Sequence, residues 1–255
     1  MPGRKARIRM REWGSGPPLV LLHSGWGWEA YPFDRQVEAL SRRHRIVAAD
    51  RTGYGESPPL PALEDGFHLQ YAQECLAVMD ALGIERAPLW GHSDGAVVAA
   101  WTALEAPGRV SGLVLEACHF WRAKVGSLPF FETAASRPED FGEEMVAALR
   151  SDHGEPRWRE IVGLGAQAWL RIISRGEREG GDVFDGRLAE VRCPVLLLHG
   201  VHDPRSEPGE IEAARDALAD GRIAWVESGH APHTSRKSSA EATRIASEFL
   251  RTLPP

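Results

Sequence analysis

The chain has 255 residues, of which 43% are hydrophobic and 26% charged, and this balance predicts one soluble α/β domain with room for an insertion. A net charge of −6 and scattered arginines argue against nucleic-acid binding. No apolar run approaches the roughly 18 residues of a membrane span, and the N-terminus lacks the apolar segment of a secretory signal. Cys75, Cys118 and Cys193 fit neither a disulfide framework nor a zinc motif, so we expect a cytoplasmic protein.

Short apolar runs alternate with amphipathic segments along the chain. The runs are nearly continuous, as is typical of strands covered on both faces: 18–25, 45–50, 87–92, 112–118, 194–200 and 222–228. The intervening segments have helical periodicity: 34–43, 68–83, 95–106, 208–219 and 237–251. This alternation predicts a doubly wound, mostly parallel sheet, and the alternating stretch ARIRMREWG predicts an antiparallel edge strand.

The stretch 121–186 interrupts this alternation because it has helical pattern without strands. We interpret it as a helical cap inserted after the 112–118 strand, which leaves 1–120 and 187–255 as the α/β core. The cap is rich in large aromatic residues, which would either line a site or fix the cap to the core: Trp121, Phe130, Phe131, Trp158 and Trp169.

The pentapeptide GHSDG at 91–95 lies between a predicted strand and a predicted helix. That context is typical of a nucleophile elbow, in which a serine sits on a sharp turn and flanking glycines let strand and helix approach. We therefore predict that Ser93 is a nucleophile. A plain glycine-rich turn is the alternative.

A serine nucleophile needs a base and an orienting acid, in the chain order serine, acid, histidine. Asp203 follows one buried strand and His230 follows the last, so both belong to the carboxyl edge of the sheet, where ligand sites lie. We assign Asp203 as the acid and His230 as the base. Glu116 is the rival acid and His233 the rival base.

The stretch HSGWG at 23–27 ends the first long strand, and its small residues free backbone N–H groups. We assign the two donors of an oxyanion hole to Gly25 and Asp94, with Trp26 as the alternative to Gly25. Trp26 is also expected to line the substrate pocket. Glu116 is expected to contact substrate if its side chain faces the mouth of the same pocket.

These motifs together resemble the α/β-hydrolase fold family, serine hydrolase branch, over nearly the whole chain. GHSDG, HSGWG, DRTGYGES (50–57), HGVHDP (199–204) and SGHAPH (228–233) follow in the family's order, and the insertion lies where that family carries a cap. Two positions depart from the family's usual pattern. Ser24 stands where the family usually has glycine, and in the turn at 50–53 the arginine, Arg51, is displaced by one position from the family's Asp-x-Arg-Gly. The serine argues against the haloalkane dehalogenase and epoxide hydrolase chemistries, which use an aspartate nucleophile in this fold.

The Asp94 side chain raises a question, since a carboxylate beside an oxyanion opposes catalysis. Two unit charges ~5 Å apart interact by roughly 3 kcal/mol at an effective dielectric near 20. Either the side chain points away, towards the N-terminus of the following helix, or a substrate cation pairs with it. The elbow also resembles that of the valacyclovir hydrolase branch, which implies that Asp94 binds the α-ammonium group of an amino-acid ester.

The sequence thus predicts a serine hydrolase that cleaves carboxylic esters of small molecules through an acyl-enzyme. Hydrolysis of a C–C bond, a lactone or an amide by the same residues is the alternative, because pocket shape decides among them. A non-catalytic ligand-binding protein of the same fold is a further alternative. No cofactor or metal is predicted, since no histidine or acidic cluster has ligand spacing in the sequence.

Overall fold

The computed structural model describes residues 7–254, which form a seven-stranded sheet with helices on both faces. The strands are β1 (Met10–Trp13), β2 (Pro18–Leu22), β3 (Arg45–Ala49), β4 (Ala87–His92), β5 (Val110–Glu116), β6 (Val195–Gly200) and β7 (Gly221–Val226). Their order in the sheet is β1-β3-β2-β4-β5-β6-β7. Within this sheet of the described residues, β1 and β3 pair antiparallel and all other neighbours pair parallel.

Five helices cover the two faces of the sheet: α1 (Asp34–Leu40), α2 (Phe67–Ala81), α3 (Asp94–Glu105), α7 (Glu210–Ala217) and α8 (Ser239–Leu250). Both faces are apolar because successive residues of each strand point to opposite sides. Leu19 and Leu21 pack with α1 and α8, whereas Val20 and Leu22 pack with α2, α3 and α7.

Three helices between β5 and β6 lie within the predicted cap: α4 (Leu128–Ser136), α5 (Glu143–His153) and α6 (Arg157–Glu179). Polar contacts join this region to the core. Asp152 accepts the N–H groups of Trp28 and Glu29, and Arg157 donates to the carbonyls of the 53–57 turn. His153 accepts from Gly55 and contacts the Trp26 carbonyl. The bounds 121–186 for a separate cap unit stay a prediction.

The predicted fold class is confirmed, and the elements begin and end within a few residues of the predicted bounds. The edge strand forms as β1, although the start of the stretch that predicts it, at Ala6, lies outside the described residues. Within residues 7–254, no helix combines the length and apolar character needed to cross a bilayer.

Candidate active site

Ser93 lies between β4 and α3 in a backbone conformation that non-glycine residues rarely adopt, with φ 55° and ψ −120°. Two glycines make this turn possible. A Cβ at Gly91 would lie 2.2 Å from the Gly95 carbonyl oxygen, and one at Gly95 would lie 2.2 Å from that of Leu22. The sharp turn places Ser93 at the carboxyl edge of the sheet, in the elbow geometry that the sequence predicts.

Asp203 and His230 meet at the same edge, on the loops that follow β6 and β7. The Nδ1 of His230 lies 2.9 Å from Oδ2 and 3.0 Å from Oδ1 of Asp203, and both side chains are buried. The Arg205 N–H donates to Asp203 Oδ1 over 2.9 Å, which helps to fix the carboxylate. This pairing makes Nδ1 of His230 the donor and leaves Nε2 available as an acceptor.

The hydrogen bond between Ser93 and His230 is not formed. Nε2 of His230 is buried without a partner among residues 7–254. Ser93 Oγ instead lies 3.4 Å from Nε2 of His119, whose ring stacks on that of His230 with centroids 5.6 Å apart. A rotation of the serine hydroxyl towards His230 would be needed before proton transfer, and such contacts often tighten only when substrate binds.

The protonation states of this pair suit a base and its orienting acid. Burial lowers the pKa of His230 to about 4; the charge of Arg205 acts in the same direction, and Asp203 opposes it. Burial alone would raise the pKa of Asp203, but the hydrogen bond and charge of His230 outweigh it and lower that pKa to about 2. At pH 7 the imidazole is therefore neutral and the carboxylate ionised.

The backbone around Gly25 bears on the assignment of the oxyanion hole. The Trp26 N–H already donates to Ser24 Oγ over 3.2 Å, whereas no acceptor for the Gly25 N–H is found in the described part of the chain. Asp94 is the first residue of α3, where the helix itself provides no acceptor for the N–H. These contacts favour Gly25 over Trp26 as the partner donor of Asp94.

The Asp94 carboxylate is held by two protein donors. Nε2 of His68 on α2 lies 3.1 Å from Oδ1, and the Trp169 indole N–H of α6 donates to the same oxygen over 2.8 Å. Burial alone would raise the pKa of Asp94, but the hydrogen bond and charge of His68 lower it below its ordinary value. Asp94 is thus ionised, and its Oδ1 already has two partners within the chain itself.

Glu116 does not face the pocket, and its assignment as a substrate contact is corrected here. Its side chain is fully buried and accepts from the Trp90 indole, the His233 N–H and the His233 ring. The reason is strand alternation: Glu116 shares the face of Val114, which packs with α1 and α8. The rival acid and rival base therefore pair with each other, away from Ser93.

Glu116, His233 and His92 also form a group whose possible ligand atoms lie within 4.8 Å of one another. The sequence spacing did not indicate this group. Most of its atoms already have partners: Nε2 of His92 lies 2.9 Å from the His230 carbonyl oxygen, and Nε2 of His233 lies 3.1 Å from that of Tyr31. Because these contacts hold the loop that carries His230, we interpret the group as structural.

A pocket of about 400 Å³, including its open mouth, reaches Ser93 from beneath the cap. Trp26 lines it and also packs on Phe130 and Tyr31. The pocket is also lined by Asp94, His119, Trp169 and Arg205.

Three residues of this site escaped the sequence analysis: His68, His119 and Arg205. His119 is buried three residues beyond β5, and burial lowers its pKa well below the usual range. Arg205 follows Asp203 by two residues, and that proximity was the one available signal. For His68 the helical segment at 68–83 gave no sign that its first residue reaches the elbow.

Comparison with known proteins places this geometry in context. A family model described as the alpha/beta hydrolase fold matches residues 17–171. The chain is 39% identical over 259 residues to "Putative carbamate hydrolase RutD" of Variovorax paradoxus, covering 91% of both chains. It is 30% identical over 260 residues to the pimeloyl-[acyl-carrier protein] methyl ester esterase of Nitrosomonas europaea, covering 90% of this chain and 95% of that one.

Among solved structures, the enol-lactonase of Burkholderia xenovorans LB400 is similar with a TM-score of 0.75 and 20% identity, covering 96% of both chains. At that identity the likeness concerns the fold alone. The two curated relatives are named for a carbamate and a methyl ester, so they support hydrolysis without selecting the bond. Neither is named for α-amino-acid esters, and the narrower resemblance to the valacyclovir hydrolase branch stays a prediction.

Proposed function

This chain belongs to the alpha/beta hydrolase fold family, and we propose that it is a serine hydrolase that cleaves a carboxylic ester of a small molecule. The observation that carries the proposal is the buried Asp203–His230 pair beside an elbow serine that opens onto a pocket. The methyl ester esterase among its relatives supports the choice of an ester.

The proposed reaction begins when His230 Nε2 takes the hydroxyl proton of Ser93 as Oγ attacks the ester carbonyl. The resulting oxyanion accepts from the Gly25 and Asp94 N–H groups. His230 then protonates the leaving alcohol, and an acyl-enzyme on Ser93 remains. A water that gives its proton to His230 hydrolyses the acyl-enzyme, and the acid leaves as Ser93 regains its proton.

The contacts of Asp94 bear on the kind of ester. His68 Nε2 and the Trp169 indole N–H lie against the same carboxylate oxygen, so the carboxylate opposes a nearby oxyanion less than one without such contacts would. These contacts stabilise the carboxylate without a substrate cation, although through two side chains rather than through the N-terminus of α3. We therefore propose an ester substrate that needs no amino group.

A substrate panel tests the proposal. Esters, lactones, amides and a vinylogous diketone with a cleavable C–C bond are compared at matched size, for the wild type and for Ser93→Ala. We expect esters to have the highest kcat/KM, and Ser93→Ala to lose on the order of 10⁴-fold or more. Highest turnover of another bond class, or ester turnover that survives Ser93→Ala within tenfold, would reject it.

A further inference from the structure

Arg205 occupies a fixed position at the edge of the catalytic pair. Its N–H donates to Asp203 Oδ1 over 2.9 Å, and its carbonyl accepts from Lys124 Nζ over 2.8 Å and from Ser127 Oγ over 3.3 Å. Lys124 and Ser127 lie at the start of the predicted cap. The backbone of Arg205 is thus held from both sides, and its side chain extends from a rigid base.

The guanidinium group lies in the pocket that reaches Ser93. Its Cζ is 3.7 Å from the ring centroid of Phe130, which in turn stacks on Trp26 with centroids 5.1 Å apart. Phe130, Trp26 and Arg205 all line the pocket with Ser93. A guanidinium stacked by one face on an aromatic ring keeps its N–H edge free to bind a planar anion.

Arg205 has no carboxylate within 4.0 Å in residues 7–254, unlike most of the chain's partly buried arginines. The neighbouring acids all have other partners. Asp203 pairs with His230, Glu207 accepts the Gly126 N–H, and Glu210 pairs with Lys124. Across the pocket, Asp94 is held by His68 and Trp169.

The Arg205 guanidinium is therefore a cation that lines the pocket and that no carboxylate of residues 7–254 contacts. Lys124 is balanced by Glu210, and the buried histidines His119 and His230 are neutral, since burial lowers the pKa of both. A partly desolvated cation beside a reacting centre favours an anionic ligand group.

We propose that Arg205 binds a free carboxylate of the substrate, so that the preferred substrate is an ester that also carries an acid group. This inference rests on the proposed ester hydrolysis and adds the substrate class. The planar guanidinium group can donate two parallel hydrogen bonds to the two oxygens of a carboxylate. This bidentate contact would orient the ester group of the substrate towards Ser93. Hydrolysis then consumes one water. It releases a dicarboxylic acid and an alcohol when the acid group is on the acyl side, or a monocarboxylic acid and a hydroxy acid when the acid group is on the alcohol side.

The kinetic test compares each acidic ester with its isosteric carboxamide. The acid lies on the acyl side in the monomethyl esters of succinate, glutarate and adipate, and on the alcohol side in acetoxyacetate. We expect at least one acid to exceed its carboxamide roughly 10- to 100-fold in kcat/KM for the wild type. Arg205→Gln should bring that ratio close to 1, and Arg205→Lys should leave an intermediate ratio because the charge remains without the bidentate contact.

Arg244→Gln is the matched control, since Arg244 is an exposed α8 residue paired with Glu248 and does not line the pocket. It should keep the wild-type ratio. Wild-type ratios near 1 for every pair, or a preference that Arg205→Gln leaves intact, would overturn the assignment of Arg205 while leaving ester hydrolysis standing.

A binding measurement decides the matter even if no ester is turned over. Calorimetry on Ser93→Ala should show at least one half-ester binding roughly tenfold or more tightly than its carboxamide, and the difference should vanish in the Ser93→Ala, Arg205→Gln double variant. Equal binding of acid and carboxamide in every pair would overturn the proposal. Selective binding without ester turnover would retain the carboxylate site and reject the reaction.

Discussion

The Trp169 indole N–H donates to Asp94 Oδ1 over 2.8 Å, so a residue of α6 is hydrogen-bonded to the residue that follows the proposed nucleophile. His68 on α2 reaches the same oxygen. The carboxylate is therefore a junction between the elbow, the core helix α2 and the region above the pocket. This role differs from that of a free carboxylate awaiting a cationic substrate.

The first prediction follows from that junction. Wild-type protein should show no preference for an α-amino-acid ester over its des-amino isostere, because Asp94 is already paired. Asp94→Asn should slow both esters alike and lower the free energy of unfolding by about 1–3 kcal/mol, since His68 and Trp169 lose a charged acceptor. A wild-type preference above tenfold that Asp94→Asn abolishes would restore the ammonium-binding role.

The second prediction concerns the two candidate acids. Asp203→Asn should lower kcat on the order of 10³- to 10⁴-fold with little change in KM, because the amide no longer selects the productive tautomer of His230. Glu116→Gln should instead act on stability, by about 1–3 kcal/mol, because it weakens buried contacts to Trp90 and His233. Kinetics and denaturant unfolding on both variants check this, and a crippled but stable Glu116→Gln would reverse the assignment.

The pH dependence of kcat/KM gives a third prediction. His230 must be neutral to act as a base, and its lowered pKa of about 4 places the loss of activity far below the usual range near 6.5. Activity should therefore persist as the pH falls to about 5. Arg205→Gln removes a charge that lowers this pKa, so the midpoint should move to higher pH. A wild-type midpoint near 6.5, or a midpoint that Arg205→Gln shifts downward, would contradict this account.

The fourth prediction separates the two histidines next to Ser93. Nε2 of His119 lies 3.4 Å from Oγ, but Asp203 orients His230. We expect His230→Ala to cost on the order of 10⁴-fold in kcat and His119→Ala no more than roughly tenfold. Equal losses in kcat would make His119 a participant in proton transfer.

The sequence predicted the parts of this structure that depend on local pattern. Continuous apolar runs gave the buried strands, and GHSDG between strand and helix gave the turn at Ser93. Asp203 and His230 could be predicted to lie near Ser93 because the carboxyl ends of parallel strands meet at one edge of the sheet.

Side-chain direction and long-range approach were harder to predict. The place of Glu116 at a strand end makes it a candidate for the pocket, but alternation along β5 gives it the same face as Val114, which packs with α1 and α8. His119 and Arg205 have no motif of their own. Their importance arises from the aromatic residues that pack against them, Trp169 and Phe130, which come from a distant part of the chain.

The central claim is that Ser93 is an activated nucleophile. The most direct measurement is labelling of the intact protein with a fluorophosphonate, followed by peptide mass spectrometry. We predict one covalent adduct, located on Ser93, which Asp203→Asn slows and Ser93→Ala abolishes. An unlabelled wild-type protein, or an adduct on another residue that persists in Ser93→Ala, would contradict it.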